Sequence, residues 1–274
     1  MTKKKNLFLV GNAHLDPVWQ WRWQEGSAEA KATIRSALDR MTEFPDFKFV
    51  CSSASIYRWI EEFDEEMFEE IKQRVSEGRF VVVGGWHVQP DCNMPSGEGF
   101  ARQTLYSQRY FKEKFGVTAK VGYNVDSFGH NANIPQILKK SGMDYYIFMR
   151  PAPYENPLSS DVFNWIAPDG SSVLTYRILD PYCAKFTTTE ELQSRIDYLE
   201  KESKADISEL PLFYGVGNHG GGPTITHIKL LEEYKKNHPE LELKFSNLSD
   251  FFERVESSEY SIPEHKDDLQ HHAA

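Results

Sequence analysis

The stretch Asn6-Leu7-Phe8-Leu9-Val10-Gly11-Asn12-Ala13-His14-Leu15-Asp16-Pro17-Val18-Trp19 changes character half-way along. Residues 7–10 are apolar without alternation, so they read as a strand covered on both faces rather than one with a wet side. Gly11-Asn12 ends the run, and a His, an Asp and a Trp follow at once. The same succession recurs down the chain. Further β runs are expected at 47–51, 79–83, 119–125, 145–149, 212–216 and 241–245. Between them, helical patterns cover 27–41, 56–77, 96–114, 134–140, 188–204, 225–236 and 249–255, with Ser96 as an N-cap. One interruption breaks the rhythm: β runs at 162–166 and 172–178 flank Ala167-Pro168-Asp169-Gly170, a hairpin signal. Apolar strands separated by helices imply a largely parallel sheet covered on both faces, either a barrel or a doubly wound sheet.

The chain has 274 residues, 31 Lys and Arg against 41 Asp and Glu, and a net charge of −10. With 40% hydrophobic and 26% charged residues it is an ordinary globular composition, which excludes disorder, collagen and coiled coil. The acidity argues against nucleic acid, since the basic run Lys3-Lys4-Lys5 is too short to grip phosphates. No apolar stretch approaches the roughly 18 residues of a membrane helix. The run at 7–10 is also too short for a signal peptide, so a cytoplasmic location is expected. Cys51, Cys92 and Cys183 lie far apart and form no CxxC pair, so a metal here would be held by His and carboxylates.

Ligands of parallel α/β folds meet the loops at the C-terminal strand ends. Six such ends carry chemistry: His14 to Trp19, Trp86 to Asp91, Asp126 to His130, Arg150, Asp180 with Tyr182, and Asn218 with His219. Spacing of two in an extended segment puts His14 and Asp16 on one side, where imidazole nitrogen and carboxylate oxygen suit zinc or a similar divalent ion. Trp19, Trp21 and Trp23 follow at spacing two and are read as a platform for a sugar face. Asp126 is read as a turn or N-cap residue, or as a second carboxylate that completes a metal site or acts as a nucleophile. His130 is assigned a supporting role. The stretch 215–223 lacks both the P-loop Lys and the GxGxxG spacing, so its glycines point to close backbone approach to a ligand.

These elements together resemble glycoside hydrolase family 38, the retaining, zinc-dependent α-mannosidases. The resemblance rests on His14-Leu-Asp16-Pro-Val-Trp19, Gly84-Gly-Trp86 with Pro90-Asp91, Asp126-Ser-Phe128-Gly-His130 and residues 215–224, and it runs from about residue 7 to the last residue. It implies a seven-stranded, largely parallel β/α barrel as one domain over 1–274, of the type shared with deacetylases. It also implies that the chain is the N-terminal catalytic part of a longer multidomain enzyme, with C-terminal domains and a second copy of the chain as candidate partners. By the resemblance, His14, Asp16 and Asp126 are ligands of one zinc ion, with His271 or His272 as the last ligand and His271 preferred. Asp126 is at the same time the nucleophile. Trp19 and Phe128 contact the sugar, Arg150 contacts the nucleophile, and Asp91 and His219 are further substrate contacts. Asp180, in Leu179-Asp180-Pro181-Tyr182, is the expected general acid, although no sharp motif fixes it.

The implied reaction is hydrolysis of α-mannosidic bonds in oligosaccharides or small mannosides, mannosylglycerate among them. A metal-dependent polysaccharide deacetylase is the alternative, since such enzymes also set Asp and His at strand ends, with Asp126 then a base. After the last polar stretch, 267–274, no closing strand or helix is expected, so a ligand at 271–272 would hang on an untethered end.

Overall fold

The computed structural model describes residues 5–217 and 219–271. The elements run β1 (Asn6–Asn12), α1 (Trp23–Glu43), β2 (Phe49–Cys51), α2 (Ala54–Phe63), α3 (Glu65–Ser76), β3 (Phe80–Val82) and α4 (Gly97–Phe115). Then come β4 (Val121–Asn124), β5 (Gly129–His130), α5 (Ile134–Lys140), β6 (Tyr145–Phe148), β7 (Val162–Ile166) and β8 (Ser172–Arg177). The remainder is α6 (Thr189–Glu202), β9 (Glu209–Tyr214), α7 (Ile225–Asn237), β10 (Leu243–Phe245), α8 (Ser249–Glu256), β11 (Glu264–His265) and β12 (Leu269–Gln270).

Local chemistry accounts for several helix boundaries. Ser96 caps α4 through Gly99 N, and Gly116 ends that helix with φ 72°. Thr188 caps α6, and Thr224 with His227 forms a capping box on α7. The helix expected over 56–77 is two helices. Asp64 ends α2 and accepts a hydrogen bond from Met67 N, capping α3, so the expected single helix breaks there.

Strand β1 pairs in parallel with β9 along one edge. Its other edge is shared, β10 taking the first half and β2 the second. Strand β3 extends this sheet beyond β2, and a second sheet runs β11-β7-β8-β6-β4. The two approach between β3 and β4, where Gly84 N donates to Val121 O at 2.8 Å. The result is a curled, mainly parallel sheet. One apolar cluster lies inside the curl and draws Phe8 and Val10 from β1, Val50 from β2, Tyr123 from β4, Ile147 from β6, Tyr176 from β8 and Phe213 from β9. The alternate residues Leu7 and Leu9 face a second cluster outside, against Ile34 and Leu38 of α1 and Ile228 and Leu231 of α7. Both faces of β1 are therefore buried, as its unbroken apolar run requires.

In place of the expected seven-stranded barrel, the main strands among the described residues form two five-stranded sheets. The physical reason is edge occupancy. The hairpin strand β7 takes the outer edge of β8 in antiparallel register, leaving β8 no free edge for β9. The curl stays open between β8 and β9. The end of the chain also differs from expectation. Leu269–Gln270 pairs antiparallel with Gly129–His130, so the C-terminal segment is tied to the loop that follows Asp126. No helix among the described residues is long and apolar enough to cross a membrane.

Candidate active site

A cleft of about 450 Å³ opens at the C-terminal ends of the strands. Its walls include His14 and Asp16 after β1, Ser53 after β2, Asp91 after β3, Asp126 and Phe128 after β4, and Arg150 after β6. The strand-end reading thus gathers residues more than a hundred positions apart in the chain.

His14 is buried, and its Nε2 lies 3.1 Å from Asp16 Oδ1 and 3.8 Å from Asp126 Oδ2. Arg150 Nε donates to the other Asp126 oxygen, Oδ1, at 2.9 Å. The guanidinium also lies 4.9 Å from the centre of the Phe128 ring, so the aromatic face and the carboxylate hold the same cation. Tyr182 packs its ring 5.1 Å from that of His14. Burial first, then the Asp126 and Asp16 charges, push the Tyr182 phenol above its ordinary pKa, so it remains a neutral hydroxyl.

A buried framework positions these groups. His130 is fully enclosed: Tyr146 Oη donates to its Nδ1 at 2.8 Å, and its Nε2 meets Arg150 O at 2.8 Å. A carbonyl only accepts, so Nε2 carries the proton. Burial lowers the His130 pKa to about 4, which keeps the ring neutral. His130 is thus the supporting residue that its place in the sequence suggested, and it fixes the backbone of Arg150. Gln89 accepts from Val125 N through Oε1 and donates to Ser52 Oγ through Nε2. Asn124 and Ser127 both bond Pro90 O, and Ser127 Oγ donates to Asn124 Oδ1. Asp126 is held between these anchors. Asn12 Nδ2 donates to Tyr182 O and Tyr214 O, bridging the β8 and β9 sides of the open curl.

Not every residue singled out in the sequence meets the cleft. Trp19 lines it and is largely exposed, but the three tryptophans do not form one platform. Trp21 Nε1 donates to Asp16 O, and its ring packs 4.2 Å from that of His219. Trp23 lies in α1 and packs on Trp59 and Phe63. The helix beginning at Trp23 replaces the period of two by 3.6 and turns the side chains apart. His219 does not line the cleft either. Its Nε2 lies 3.2 Å from Glu25 Oε1 and 3.7 Å from Glu29 Oε1 on α1. Asp91 lines the cleft, while its Oδ1 accepts from the backbone N–H groups of Asn93 and Met94.

Asp180 lines a second cavity, of about 470 Å³, which shares Arg150 and Tyr182 with the first. Its Oδ2 pairs with Arg195 Nε at 2.9 Å. Burial raises the Asp180 pKa, opposed by the Arg195 charge. His271 packs its ring 5.3 Å from that of Phe128, and its Nε2 meets Glu155 Oε1 at 2.8 Å, so it borders the site without joining His14. Its Nδ1 is buried without a hydrogen-bond partner, as is that of His14. His272 and Asn218 lie outside the described residues.

The metal assignment meets a mixed test. As the side chains stand, the described residues form no cage of three or more His, Cys, Asp and Glu around one point. The donor chemistry fits nevertheless: one imidazole nitrogen faces two carboxylate oxygens at 3.1 and 3.8 Å. Adjacent ligands of a tetrahedral zinc with bonds of about 2.0–2.1 Å lie roughly 3.3 Å apart.

Residues 4–273 match the family described as Glycosyl hydrolases family 38 N-terminal domain. The chain belongs to glycosyl hydrolase family 38. Alpha-mannosidase G of Dictyostelium discoideum is 33% identical over 258 residues, 91% of this chain and 23% of that protein. The chain spans less than a third of the length of the curated relatives it matches. Among solved structures, an alpha-mannosidase from Enterococcus faecalis V583 superposes with a TM-score of 0.84 at 20% identity, over 97% of this chain and 31% of that one. A putative polysaccharide deacetylase from Mycobacterium smegmatis shares the fold with a TM-score of 0.64 at 10% identity, over 96% of this chain and 94% of that one. The family match therefore does what the strand-end pattern did not: it separates glycosidase from deacetylase.

The sequence pattern does not single out Ser53, Asn124 or Glu155, and it places Gln89 and Tyr182 at strand ends without a role. Ser53 was findable, because it follows β2 as His14 follows β1. Glu155 carries no such signal, since only the folded loop after Arg150 brings it to His271.

Proposed function

We propose that the chain is the catalytic unit of a retaining, zinc-dependent α-mannosidase that cleaves α-mannosidic bonds of oligosaccharides or small mannosides. The observation that carries this reading is the convergence of His14, Asp16, Asp126 and Arg150 in one cleft. His14, Asp16 and Asp126 would hold the ion, with His271 or His272 as the further donor. When bound there, zinc supplies Lewis-acid polarisation of sugar hydroxyls.

Asp126 is the nucleophile. Arg150 donates to one of its oxygens, Oδ1, and the other, Oδ2, faces His14. A carboxylate oxygen of Asp126 bonds to the anomeric carbon as the bond to the leaving oxygen breaks, giving a glycosyl ester on Asp126. Asp180 gives its proton to the leaving oxygen. In the second half, Asp180 takes a proton from water as that water attacks the anomeric carbon and frees Asp126. Two supports favour Asp180: burial raises its pKa, as a general acid needs, and it faces the cavity next to the nucleophile's cleft across the shared walls Arg150 and Tyr182. Trp19 and Phe128 offer aromatic faces to the sugar, and Asp91 accepts from its hydroxyls.

Hydrolysis of an activated aryl α-mannoside tests the proposal. The enzyme should cleave it, and Asp126→Ala should abolish the cleavage. Release of acetate from an acetylated glycan, with no cleavage of the mannoside, would transfer the site to the deacetylase reading.

A further inference from the structure

Ser53 lines the cleft with a backbone that few residues adopt. Its φ is 73° and its ψ 102°, outside the regions open to a side chain at no cost. Among the described residues Leu248 alone shares a positive φ without being glycine, and it does not line the cleft. Neighbouring bonds hold the turn from both sides. Before it, Ser52 Oγ accepts from Gln89 Nε2 at 2.8 Å. After it, Ala54 N donates to Trp86 O at 3.0 Å and Ser55 N to His87 O at 2.9 Å. Ile56 N returns to Ser53 O at 3.0 Å. The chain is thus pinned to the loop after β3 on each side of residue 53, and the residue between the pins takes the strain. Glycine adopts positive φ far more readily, so a side chain at this position opposes the fold unless it has other work. Capping is not that work, because Ser53 precedes α2 without a side-chain cap hydrogen bond.

We propose that Ser53 is a substrate-binding residue, whose hydroxyl donates to a hydroxyl oxygen of the mannosyl residue held in the cleft. The inference rests on the mannosidase reading above and deepens it by adding a contact that the sequence pattern does not reveal. Strand β2 lies between β1 and β3 in the sheet, so Ser53 stands between Asp16 and Asp91, which follow those strands. Both neighbours are carboxylates and only accept, and Asp91 Oδ1 already takes the amides of Asn93 and Met94. A sugar hydroxyl both donates and accepts. One that gives its proton to a carboxylate still has lone pairs to fill, and a serine hydroxyl between two carboxylates is the donor that fills them. Ser53 shares the cleft with Asp126 and does not line the cavity that Asp180 faces, which sets its contact on the mannosyl side of the scissile bond.

Two variants separate the hydroxyl from the backbone. Ser53→Ala removes the hydroxyl and keeps the strain, whereas Ser53→Gly removes both. Each should lower kcat/KM about three- to tenfold, the worth of one hydrogen bond. The factor should be the same for an aryl α-mannoside and for α-mannosyl fluoride, because the contact is to the sugar that both share. Ser53→Gly should also unfold at a higher temperature than Ser53→Ala, by about 2 °C or more, as the strain is released. Parent-like kcat/KM in both variants overturns the inference and leaves the mannosidase reading standing. So does a loss in Ser53→Gly that Ser53→Ala does not share, or a Ser53→Gly midpoint no higher than that of Ser53→Ala. A parent that cleaves neither substrate overturns the mannosidase reading, and the inference with it.

Discussion

His130 offers a worked prediction. Its ring is enclosed, accepts from Tyr146 Oη and donates to Arg150 O, and burial takes its pKa from 6.5 to about 4. Between those two values the unfolded chain binds a proton that the folded chain refuses. The folded-state pKa is depressed, so the stability is fully present above the unfolded value and is lost as pH falls toward 4. Going from pH 7.5 to pH 5.0 crosses about 1.5 pH units below the unfolded value of 6.5, which removes roughly 2 kcal/mol at about 1.36 kcal/mol per unit. His227, buried against Phe186 and also lowered to about 4, adds a loss in the same window. The variant His130→Gln isolates the first part, because the amide keeps a donor for Arg150 O but does not titrate. Urea unfolding of parent and variant at both pH values gives four free energies. Gln should be the less stable at pH 7.5, by about 1–3 kcal/mol for the lost partner of Tyr146. The parent should then lose about 2 kcal/mol more than the variant on going to pH 5.0. Equal losses in both proteins would refute the claim that a neutral, enclosed His130 anchors Arg150.

Three further outcomes are expected. Gly215→Ala should destabilise the fold by about 2 kcal/mol or more in thermal unfolding, since φ is +141° and a Cβ there would run into the Asn12 carbonyl. Arg195→Gln should move the alkaline limb of the kcat/KM profile to higher pH, because the Arg195 charge lowers the Asp180 pKa and its removal keeps the acid protonated further up; an unmoved limb would take the acid role from Asp180. Elemental analysis of protein purified without chelator should find about one zinc per chain, and His14→Ala should lose most of it; equal zinc in both would remove His14 from the metal site.

What the sequence disclosed depended on how local the cause was. Buried parallel strands announce themselves because both faces of β1 are covered, and the loops that follow carry His14, Asp16, Asp126 and Arg150. The helix break at Asp64 was less legible, since its capping bond to Met67 N shows only once the chain has turned. The open curl was illegible for another reason. It depends on β7 competing for the edge of β8, a contest between segments that the periodicity of neither reveals. The spacing of Trp19, Trp21 and Trp23 misled because a helix starts at Trp23 and changes the period inside the motif. Likewise the C-terminal segment, polar and without pattern, is held by two short strands, and β12 pairs directly with the strand that carries His130.

The central claim is that Asp126 attacks the sugar. Incubation with a fluorinated mannoside that forms the glycosyl ester but hydrolyses slowly, followed by proteolysis and mass spectrometry, locates the bond directly. The account predicts one added sugar per chain, on the peptide that contains Asp126, and no label in Asp126→Ala. A label on Asp180 or Asp91 would contradict it, and so would a parent enzyme that turns over mannosides without ever carrying one.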